Sequence, residues 1–361
     1  MITQETFPLS VQYLAHDRAA AHCAPLRGHV LGAIVYGARP AQGVVVDCPL
    51  AVVDMPVLAG KPICEVWTTA ARVLRDDATG VAGACTEDLA FGVLQVDATH
   101  DPHAAAATAY ARIFDYIATR EYAHLLRVWH YLPNINEGSG AQERYVRFNS
   151  GRHQAFMQDE RAVDQHAPAA SALGSSGGSL VVYFLAGRQP GRRIQNPRQV
   201  NAFDYPAQYG PRSPIFSRAM HVTAAGSSVL LISGTASIVG HRTVHAGDLE
   251  AQARETVANL IAVIGEAQAA GFSRALPGAR LLLKVYLRRP EFLPVVRHEI
   301  ERAFGTLHDA VYLQADICRS DLLLEIEGVY TEEGQHVPHA ITSPTGAAHP
   351  ASSDEQPVQS R

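Results

Sequence analysis

The chain has 361 residues, of which 47% are hydrophobic, and its formal net charge is −5 with a pI of about 6.4. This length allows two domains of ordinary size, and the net acidity argues against a general nucleic-acid or membrane-surface binder. No apolar run reaches membrane-spanning length, and the N-terminal residues lack the basic and apolar regions of a signal peptide. We therefore expect a soluble cytoplasmic protein without nucleic-acid or membrane partners.

The cysteines are few and far apart in the sequence. Their number is odd, and no two of them form a C-x-x-C pair: Cys23, Cys48, Cys64, Cys85 and Cys318. This spacing excludes zinc ribbons and thioredoxin-like motifs. It is typical of a protein whose thiols stay reduced.

The first half of the chain predicts alternating strands and helices. Strands are expected at 29–37, 43–47, 89–97, 124–132 and 179–185, and helices at 104–122 and 143–156. Trp67 and Trp129 are expected in the core. The following stretch from 186 to 214 is rich in Gly, Pro, Arg and Asn and is typical of a linker.

After this stretch the pattern starts again. Strands are expected at 229–238, 279–288 and 322–328, and helices at 248–270 and 292–304. Asp248 is a plausible N-cap of the long helix, and Gly271 follows its end. Residues 341–361 have the Ser-, Pro-, Gly- and Gln-rich composition of a disordered tail.

Both halves therefore follow one order of elements: strand, helix, strand, helix, strand. The letters agree in places, because LRVW at 126–129 takes the position of LKVY at 283–286. Self-similarity on this scale indicates duplication of one module. We predict an α+β fold with a domain at 1–207, a second at 208–340 and the tail at 341–361.

The last predicted strand carries two acidic residues, Glu325 and Glu327, on one face. Their side chains are expected about two residue rises apart, roughly 6–7 Å. Two ionised carboxylates repel, which raises at least one pKa and can keep a carboxylic acid protonated near neutral pH. If Glu327 is solvated, burial must supply that pKa shift. The alternative is a solvated outer face of an edge strand.

The second module resembles the Rid (YjgF) family of small α+β proteins. The matching segments are GPRSPIFSRA at 210–219, ISGT at 232–235, QARETVANL at 252–260 and EIEG at 325–328. In that family the last of these segments lines a cleft that binds small carboxylates. The arginine that holds the carboxylate is replaced near Ala310, so an imine deaminase activity is disfavoured.

The chain up to about residue 340 resembles the chorismatase family more specifically. The segments that carry this resemblance are YVRFNSGR at 145–152, NPRQVNA at 196–202, YPAQYGPRSP at 205–214, SGTASIVGH at 233–241 and CRSDLLLE at 318–325. The resemblance implies two Rid/YjgF-like (chorismate-mutase-like) modules in tandem, the N-terminal one degenerate. It also implies an enzyme that removes pyruvate from chorismate without a metal or organic cofactor.

The same resemblance assigns roles to particular residues. Glu325 takes the position of the general acid, and Cys318 the position of a thiol that goes with aromatised products. Arg152 and Tyr205 fall on substrate-contacting positions, and Ala236 on a turn that shapes the ring pocket. We place Arg288 in the same site from its position at a strand end.

Other arginines remain candidates for the two carboxylates of the substrate, because the planar guanidinium grips a carboxylate with two hydrogen bonds. Arg212 and Arg218 are such candidates, with Tyr209 as a neutral donor, whereas Arg147 and Arg297 are better explained as surface ion pairs.

The product is expected to be 3-hydroxybenzoate, with 4-hydroxybenzoate as an alternative co-product. A chorismatase that gives the dihydroxycyclohexadiene acid remains an alternative, as does a non-catalytic Rid-like module that binds small carboxylates. Both a monomer and a trimer fit the sequence.

Two further patterns have plainer explanations. His241, His245 and Asp248 have metal-ligand residue types, but Gly240 and Gly247 make this a loop, so structural hydrogen bonding is favoured over metal. The basic run at 188–193 lacks interleaved aromatic residues, so a solvated loop or a gate over the cleft is favoured over a nucleic-acid site.

Overall fold

The structure is a computed structural model that describes residues 9–37, 47–224, 227–273, 279–305 and 308–332. The predicted tail at 341–361 lies outside the described residues, as does the predicted strand at 43–47 apart from residue 47. Of the helices in the described ranges, none is both long and apolar enough to cross a membrane.

Strands are the most numerous elements of the described residues. In chain order they are β1 (Ser10–Ala15), β2 (Val30–Tyr36), β3 (Leu50–Val53), β4 (Ile63–Thr68), β5 (Leu74–Arg75), β6 (Ala82–Cys85), β7 (Leu89–Val96), β8 (His124–Pro133), β9 (Ala169–Ser175), β10 (Leu180–Gly187), β11 (Arg192–Ile194), β12 (Ala219–Ala224), β13 (Ser227–Thr235), β14 (Ile238–Val239), β15 (Arg242–Thr243), β16 (Ala279–Leu287), β17 (His308–Gln314), β18 (Asp316–Ile317) and β19 (Leu324–Glu332).

The α-helices lie between these strands. They are α1 (His16–Cys23), α2 (Pro102–Thr119), α3 (Arg144–Gln158), α4 (Val163–His166), α5 (Leu249–Ala269) and α6 (Leu293–Phe304). The Asp248 side chain accepts a hydrogen bond from the backbone N–H of Ala251, as the predicted N-cap of α5 requires. Gly271, with φ +96°, follows this helix in the left-handed conformation that glycine adopts readily.

The strands form three large sheets. One has the order β1-β4-β2-β3, the second β18-β9-β8-β10-β7-β6-β5, and the third β11-β12-β13-β19-β16-β17. The last two share one topology, since the run β9-β8-β10-β7-β6 corresponds to β17-β16-β19-β13-β12, with one parallel pair in each. The predicted α+β fold and its internal duplication are therefore confirmed.

The first sheet repeats the same order in a shorter form. Its run β3-β2-β4-β1 matches β9-β8-β10-β7, again with one parallel pair, and α1 takes the place of α2. The predicted domain at 1–207 joins this segment to the second sheet, because the strands of the segment are short and irregularly spaced in the sequence. The chain thus contains a third, smaller copy of the module.

The three sheets face one another around a common core. Side chains from all three meet there, including Ile34, Trp67, Trp129, Tyr183 and Leu282. The outer face of each sheet is covered by helices, so alternate residues of a strand belong to different cores. On β8, for example, Trp129 points to the common core, while Val128 packs under α2 and α3.

The predicted linker is an ordered connection. Asn196 is buried and donates to the carbonyl of Asn259 on α5, and Tyr205 is only 7% exposed. Arg192–Ile194 form the edge strand β11 of the third sheet, and residues between 205 and 214 help to enclose the cavity described next. Polar and turn-forming composition misled the prediction because it does not distinguish a solvated linker from a buried one.

Candidate active site

A cavity of about 610 Å³ lies where the second and third sheets meet. One wall comes from β9 and α3, and the other from β13, the β18–β19 connection and β19. The backbone N–H of Ala170 on β9 donates to the Ser233 hydroxyl of β13, which fixes the two sheets to each other beside the cavity. The cavity is therefore formed jointly by the two larger modules.

Glu325 reaches this cavity from a central strand, because β19 lies between β13 and β16. Its side chain is 5% exposed, which excludes the alternative of a solvated outer face. A β-bulge interrupts the β13–β19 register at Ser233 and Gly234. A Cβ on Gly234 would lie 1.9 Å from Glu325 Oε1, so the absence of a side chain there makes room for the carboxyl group.

Glu327, two residues along β19, points into the protein core and is 1% exposed. Its Oε1 accepts from Lys284 Nζ at 2.6 Å, and its Oε2 from Arg127 Nη2 at 2.7 Å. The Ser171 hydroxyl donates to Oε2 as well. Burial alone would raise the pKa of Glu327, but Lys284 and Arg127 outweigh burial and hold that pKa below its usual value.

The Lys284 ammonium joins all three sheets. Besides Glu327, it contacts Glu65 Oε2 of β4 at 2.9 Å and the hydroxyl oxygen atoms of Tyr36 and Tyr183 at 3.1 and 2.6 Å. The carboxylates of Glu65 and Glu327 are buried, and so are the cations Lys284 and Arg127. The two negative and two positive charges balance. This balance is what allows four ionised groups to stay in the core.

The environment of Glu325 differs from that of Glu327. Burial raises the pKa of Glu325, and the negative charge of Glu327 raises it further, to about 8. Arg127 and Arg218 offset part of this effect. Glu325 is consequently a neutral carboxylic acid at pH 7, whereas Glu327 two residues away is a carboxylate.

Cys318 lies next to this acid. Its thiol donates a weak hydrogen bond to Glu325 Oε2 across 3.9 Å. Burial, together with Glu325, raises the pKa of the Cys318 thiol to about 12, so it is a thiol rather than a thiolate at neutral pH. The two groups predicted to act together are thus adjacent on the cavity wall.

Two buried arginines supply positive charge to the cavity. Arg152 on α3 and Arg218 before β12 are 2% and 4% exposed. Arg218 donates to the Tyr205 hydroxyl at 3.0 Å, and Arg152 to Asn149 Oδ1 at 3.1 Å. Within the described part of the chain, the Nε atom of each has no hydrogen-bond partner. The planar guanidinium is the side chain best suited to hold a carboxylate with two hydrogen bonds.

A third arginine lies in the β18–β19 connection. The Arg319 guanidinium stacks on Tyr209 with 4.0 Å from Cζ to the ring centroid, and it lies 5.2 Å from the ring of Tyr205. Arg319 Nη1 also donates to the His241 carbonyl at 2.9 Å. This packing fixes the guanidinium in the cavity wall, together with the two tyrosine rings.

Comparisons with known proteins identify the family of the chain. A family model described as "Chorismatase FkbO/Hyg5-like, N-terminal" matches residues 65–186. A 3-hydroxybenzoate synthase of Streptomyces hygroscopicus is 39% identical over 77% of this chain and 84% of its own length. The chain belongs to the chorismatase family. A chorismatase of Streptomyces rapamycinicus is 35% identical over 90% of this chain and 99% of its own. A crystal structure of a chorismatase superposes with a TM-score of 0.78 at 32% identity, covering 90% of this chain and 99% of that one.

Five of the six predicted site residues line the cavity. They are Glu325, Cys318, Arg152, Tyr205 and Ala236. Arg288 does not line it, and its guanidinium is engaged instead by Asp316, Asn136 and backbone carbonyls. The predicted direct contact of Arg288 with a substrate is therefore not supported.

The remaining candidates of the sequence analysis lie elsewhere. Arg147 pairs with Asp101 at 2.8 Å, as expected, and Arg297 stacks on Tyr312. Arg212 lines a different, shallow groove with His153.

The basic run neither gates the cavity nor is fully solvated. Arg188 donates to the Glu87 carbonyl and Arg192 to the Ala270 carbonyl, and neither lines the cavity.

The three residues of metal-ligand type near the start of α5 have other partners. His241 contacts the Tyr209 hydroxyl at 3.1 Å, His245 lies 3.6 Å from Glu255, and Asp248 caps α5. Across the described ranges, no cluster of three or more His, Cys, Asp or Glu side chains is arranged to hold a metal ion. The hydrogen-bonding interpretation of these residues fits the structure better.

Sequence reasoning missed Arg127, Ser171, Lys284 and Arg319. Arg127 and Lys284 occupy matching positions of the two repeated segments, 126–129 and 283–286, and that match was the available signal. Two cations at the same inward position of duplicated strands indicate a buried charge cluster rather than two surface residues.

Proposed function

We propose that this protein is a cofactor-free chorismatase that removes pyruvate from chorismate, with Glu325 as the general acid and 3-hydroxybenzoate as the main product. The observation that carries the proposal is a neutral, buried carboxylic acid in the wall of a cavity lined by Arg152, Arg218 and Arg319. The names of the relatives support the same substrate.

Chorismate carries one carboxylate on its ring and a second on its enolpyruvyl group. A site for it needs two separated cationic groups, which Arg152 on α3 and Arg218 beside β12 would supply from different walls. Both guanidinium groups are buried, so their positive charge attracts a bound carboxylate with little screening by water. Arg319 and Tyr209 would cover the bound molecule from the loop side.

The reaction begins with transfer of the Glu325 proton to the terminal methylene carbon of the enolpyruvyl group. The π electrons of the double bond form the new C–H bond, and the adjacent carbon becomes an oxocarbenium ion. The carboxylate left on Glu325 stabilises this cation. Water then adds to the oxocarbenium carbon and gives up a proton to the Glu325 carboxylate. The hemiketal collapses as the bond between this carbon and the ring oxygen breaks: the ring oxygen takes a proton and leaves as a hydroxyl group, and the carbon becomes the keto carbon of pyruvate. If a ring hydroxyl adds first, it gives a cyclic ketal that water must hydrolyse before pyruvate is released.

The ring product then loses water if it is to become a hydroxybenzoate. Cys318, 3.9 Å from Glu325, lies where it can contact the ring intermediate and steer this loss. Its presence, and a relative named 3-hydroxybenzoate synthase at 39% identity, support the aromatic product over the dihydroxycyclohexadiene acid. Ala236 lines the cavity without distinguishing 3- from 4-hydroxybenzoate.

The test is a product analysis. Purified protein, treated with a chelator, is incubated with chorismate, and pyruvate and the ring products are separated by chromatography. We expect equal amounts of pyruvate and 3-hydroxybenzoate, at a rate that the chelator leaves unchanged. Thermal stabilisation by chorismate without any product would instead indicate a non-catalytic binding module and would overturn the proposal.

A further inference from the structure

The connection between β18 and β19 supplies several side chains to the cavity. Cys318, Arg319, Ser320 and Asp321 all line it. Only two residues of this region pair as a strand, since Asp316 and Ile317 of β18 bond to the end of β9. The segment that presents Cys318 and Arg319 therefore depends on contacts other than a sheet ladder for its position.

Arg288 provides four of these contacts, and Thr243 and Gln252 add hydrogen bonds to Asp321. Its Nε donates to the Leu322 carbonyl at 2.5 Å, and its Nη1 to Asp316 Oδ1 at 2.7 Å. Its Nη2 donates to the carbonyls of Ile317 and Arg319 at 3.0 and 2.8 Å. One guanidinium thus holds both ends and the middle of segment 316–322. A planar group with five donors on three nitrogen atoms suits this task, whereas an ammonium carries its three donors on one nitrogen atom.

Asn136, in the turn after β8, completes the arrangement from the second module. Its Oδ1 accepts from Arg288 Nη2 at 2.9 Å, and its Nδ2 donates to the Ile317 carbonyl at 3.0 Å. The segment is therefore tied to both walls of the cavity. We call Arg288 and Asn136 the clip.

We propose that the clip positions Cys318 and Arg319 for the reaction, so that Arg288 is a positioning residue rather than a substrate ligand. The proposal rests on the proposed function only for its kinetic consequences. The structural consequence, that loss of the clip frees the segment that carries Cys318, holds for any activity of the cavity.

The two positioned side chains serve different parts of the cavity. Cys318 contacts Glu325 Oε2 at 3.9 Å, so a shift of the segment separates the thiol from the acid. Arg319 stacks on Tyr209, so the same shift opens the wall on the loop side. Loss of the clip should therefore change both the ring chemistry and substrate binding, although neither Arg288 nor Asn136 lines the cavity.

The experiment uses Arg288→Lys, which keeps the charge and removes the planar donor array. Arg280→Lys is the matched control, because Arg280 lies on the same strand and pairs with Asp309 at a half-exposed site. Asn136→Ala is a second variant that weakens the clip without changing a charged residue. Each protein is alkylated for a short time with a maleimide, and modified cysteines are quantified by peptide mass spectrometry.

We expect Arg288→Lys and Asn136→Ala to raise the alkylation rate of Cys318 by about tenfold over wild type, the change that follows when one charge-assisted hydrogen bond is lost. Arg280→Lys should leave this rate unchanged. Cys85, which is also partly exposed, reports on general loosening and should react equally in all four proteins. If Arg288→Lys does not fold, Asn136→Ala decides alone.

The kinetic readout uses the same variants with chorismate. Arg288→Lys should lower kcat/KM by about tenfold and move the ring products towards the ratio given by Cys318→Ala. In the Cys318→Ala background, Arg288→Lys should change the product ratio no further. An unchanged Cys318 alkylation rate in the clip variants, or an equal rise at Cys85, would overturn the proposal. Absence of any product from the wild type would instead refute the proposed function and leave the labelling result valid.

Discussion

Lys284 lies directly opposite Glu327 in the β16–β19 pairing and donates to its Oε1 across 2.6 Å, while Glu65 binds the same ammonium from the first sheet. The first sheet therefore takes part in the electrostatics of a site it does not line. Glu327 in turn carries the negative charge that helps to keep Glu325 protonated. The charge cluster links the core of the fold to the acid of the site.

Lys284→Met should destabilise the protein by about 3–5 kcal/mol. The reason is that the buried carboxylates of Glu65 and Glu327 are then left with Arg127 as their single buried cation. The measurement is urea unfolding at pH 7. The double variant Glu65→Gln/Lys284→Met removes one charge of each sign and should recover a large part of the loss. Equal destabilisation by the single and double variants would show that charge balance does not hold this core together.

Much of the fold could be predicted from the sequence, and the reasons for the failures are physical. The helix at 249–269 is marked by Asp248 and by long apolar periodicity, so both its ends were placed within about one residue. The short strands β1, β3 and β4 carry no such periodicity. Their pairing within one sheet is a tertiary effect that local pattern does not report.

Those site residues could be predicted whose position follows from the pattern of the strand or helix that carries them. Glu325 and Glu327 share a face by the period of a strand, and the structure places both in the interior. Arg288 was misassigned because a strand end says nothing about which way a long side chain turns. Arg319 was overlooked because only the stacking on Tyr209 marks it as part of the wall.

Glu327→Gln should shift the alkaline limb of the pH profile of kcat/KM to lower pH by about one unit. The reason is that the negative charge of Glu327 is one of the two causes that raise the pKa of Glu325 to about 8. Less of Glu325 is then protonated at a given alkaline pH. An unchanged limb would mean that burial alone sets the pKa of this acid.

Glu325→Gln should make the protein more stable than the wild type at alkaline pH. The folded-state pKa of about 8 lies above the ordinary value of 4.5, so between these values the folded protein holds a proton that the unfolded chain has released. Stability of the wild type then falls as pH rises, by up to about 1.4 kcal/mol per pH unit from this group, and the glutamine variant lacks this loss.

The comparison is made by chemical unfolding of both proteins from about pH 5 to pH 9. The stability advantage of the glutamine variant should grow up to pH 8 and then level off. An advantage that is constant across this range would argue that Glu325 has an ordinary pKa in the folded protein.

Gly234→Ala should lower kcat by about a hundredfold, because misplacing a reacting group by about 1 Å has that effect. The added Cβ would lie 1.9 Å from Glu325 Oε1, so the carboxyl group must move. Gly265→Ala is the control, since a Cβ at that helical position meets open space. The measurement is steady-state kinetics of both variants. Equal activities would show that the space left by Gly234 does not determine the position of the Glu325 carboxyl group.

The central claim, proton transfer from Glu325 to the substrate carbon, is tested most directly by the pH dependence of pyruvate release. For the wild type, kcat/KM should be level below about pH 8 and should fall about tenfold per pH unit above it. Glu325→Gln should still bind chorismate, measured by calorimetry, but release pyruvate at least about 10³-fold more slowly at every pH. A glutamine variant that turns over chorismate at the wild-type rate would contradict the account.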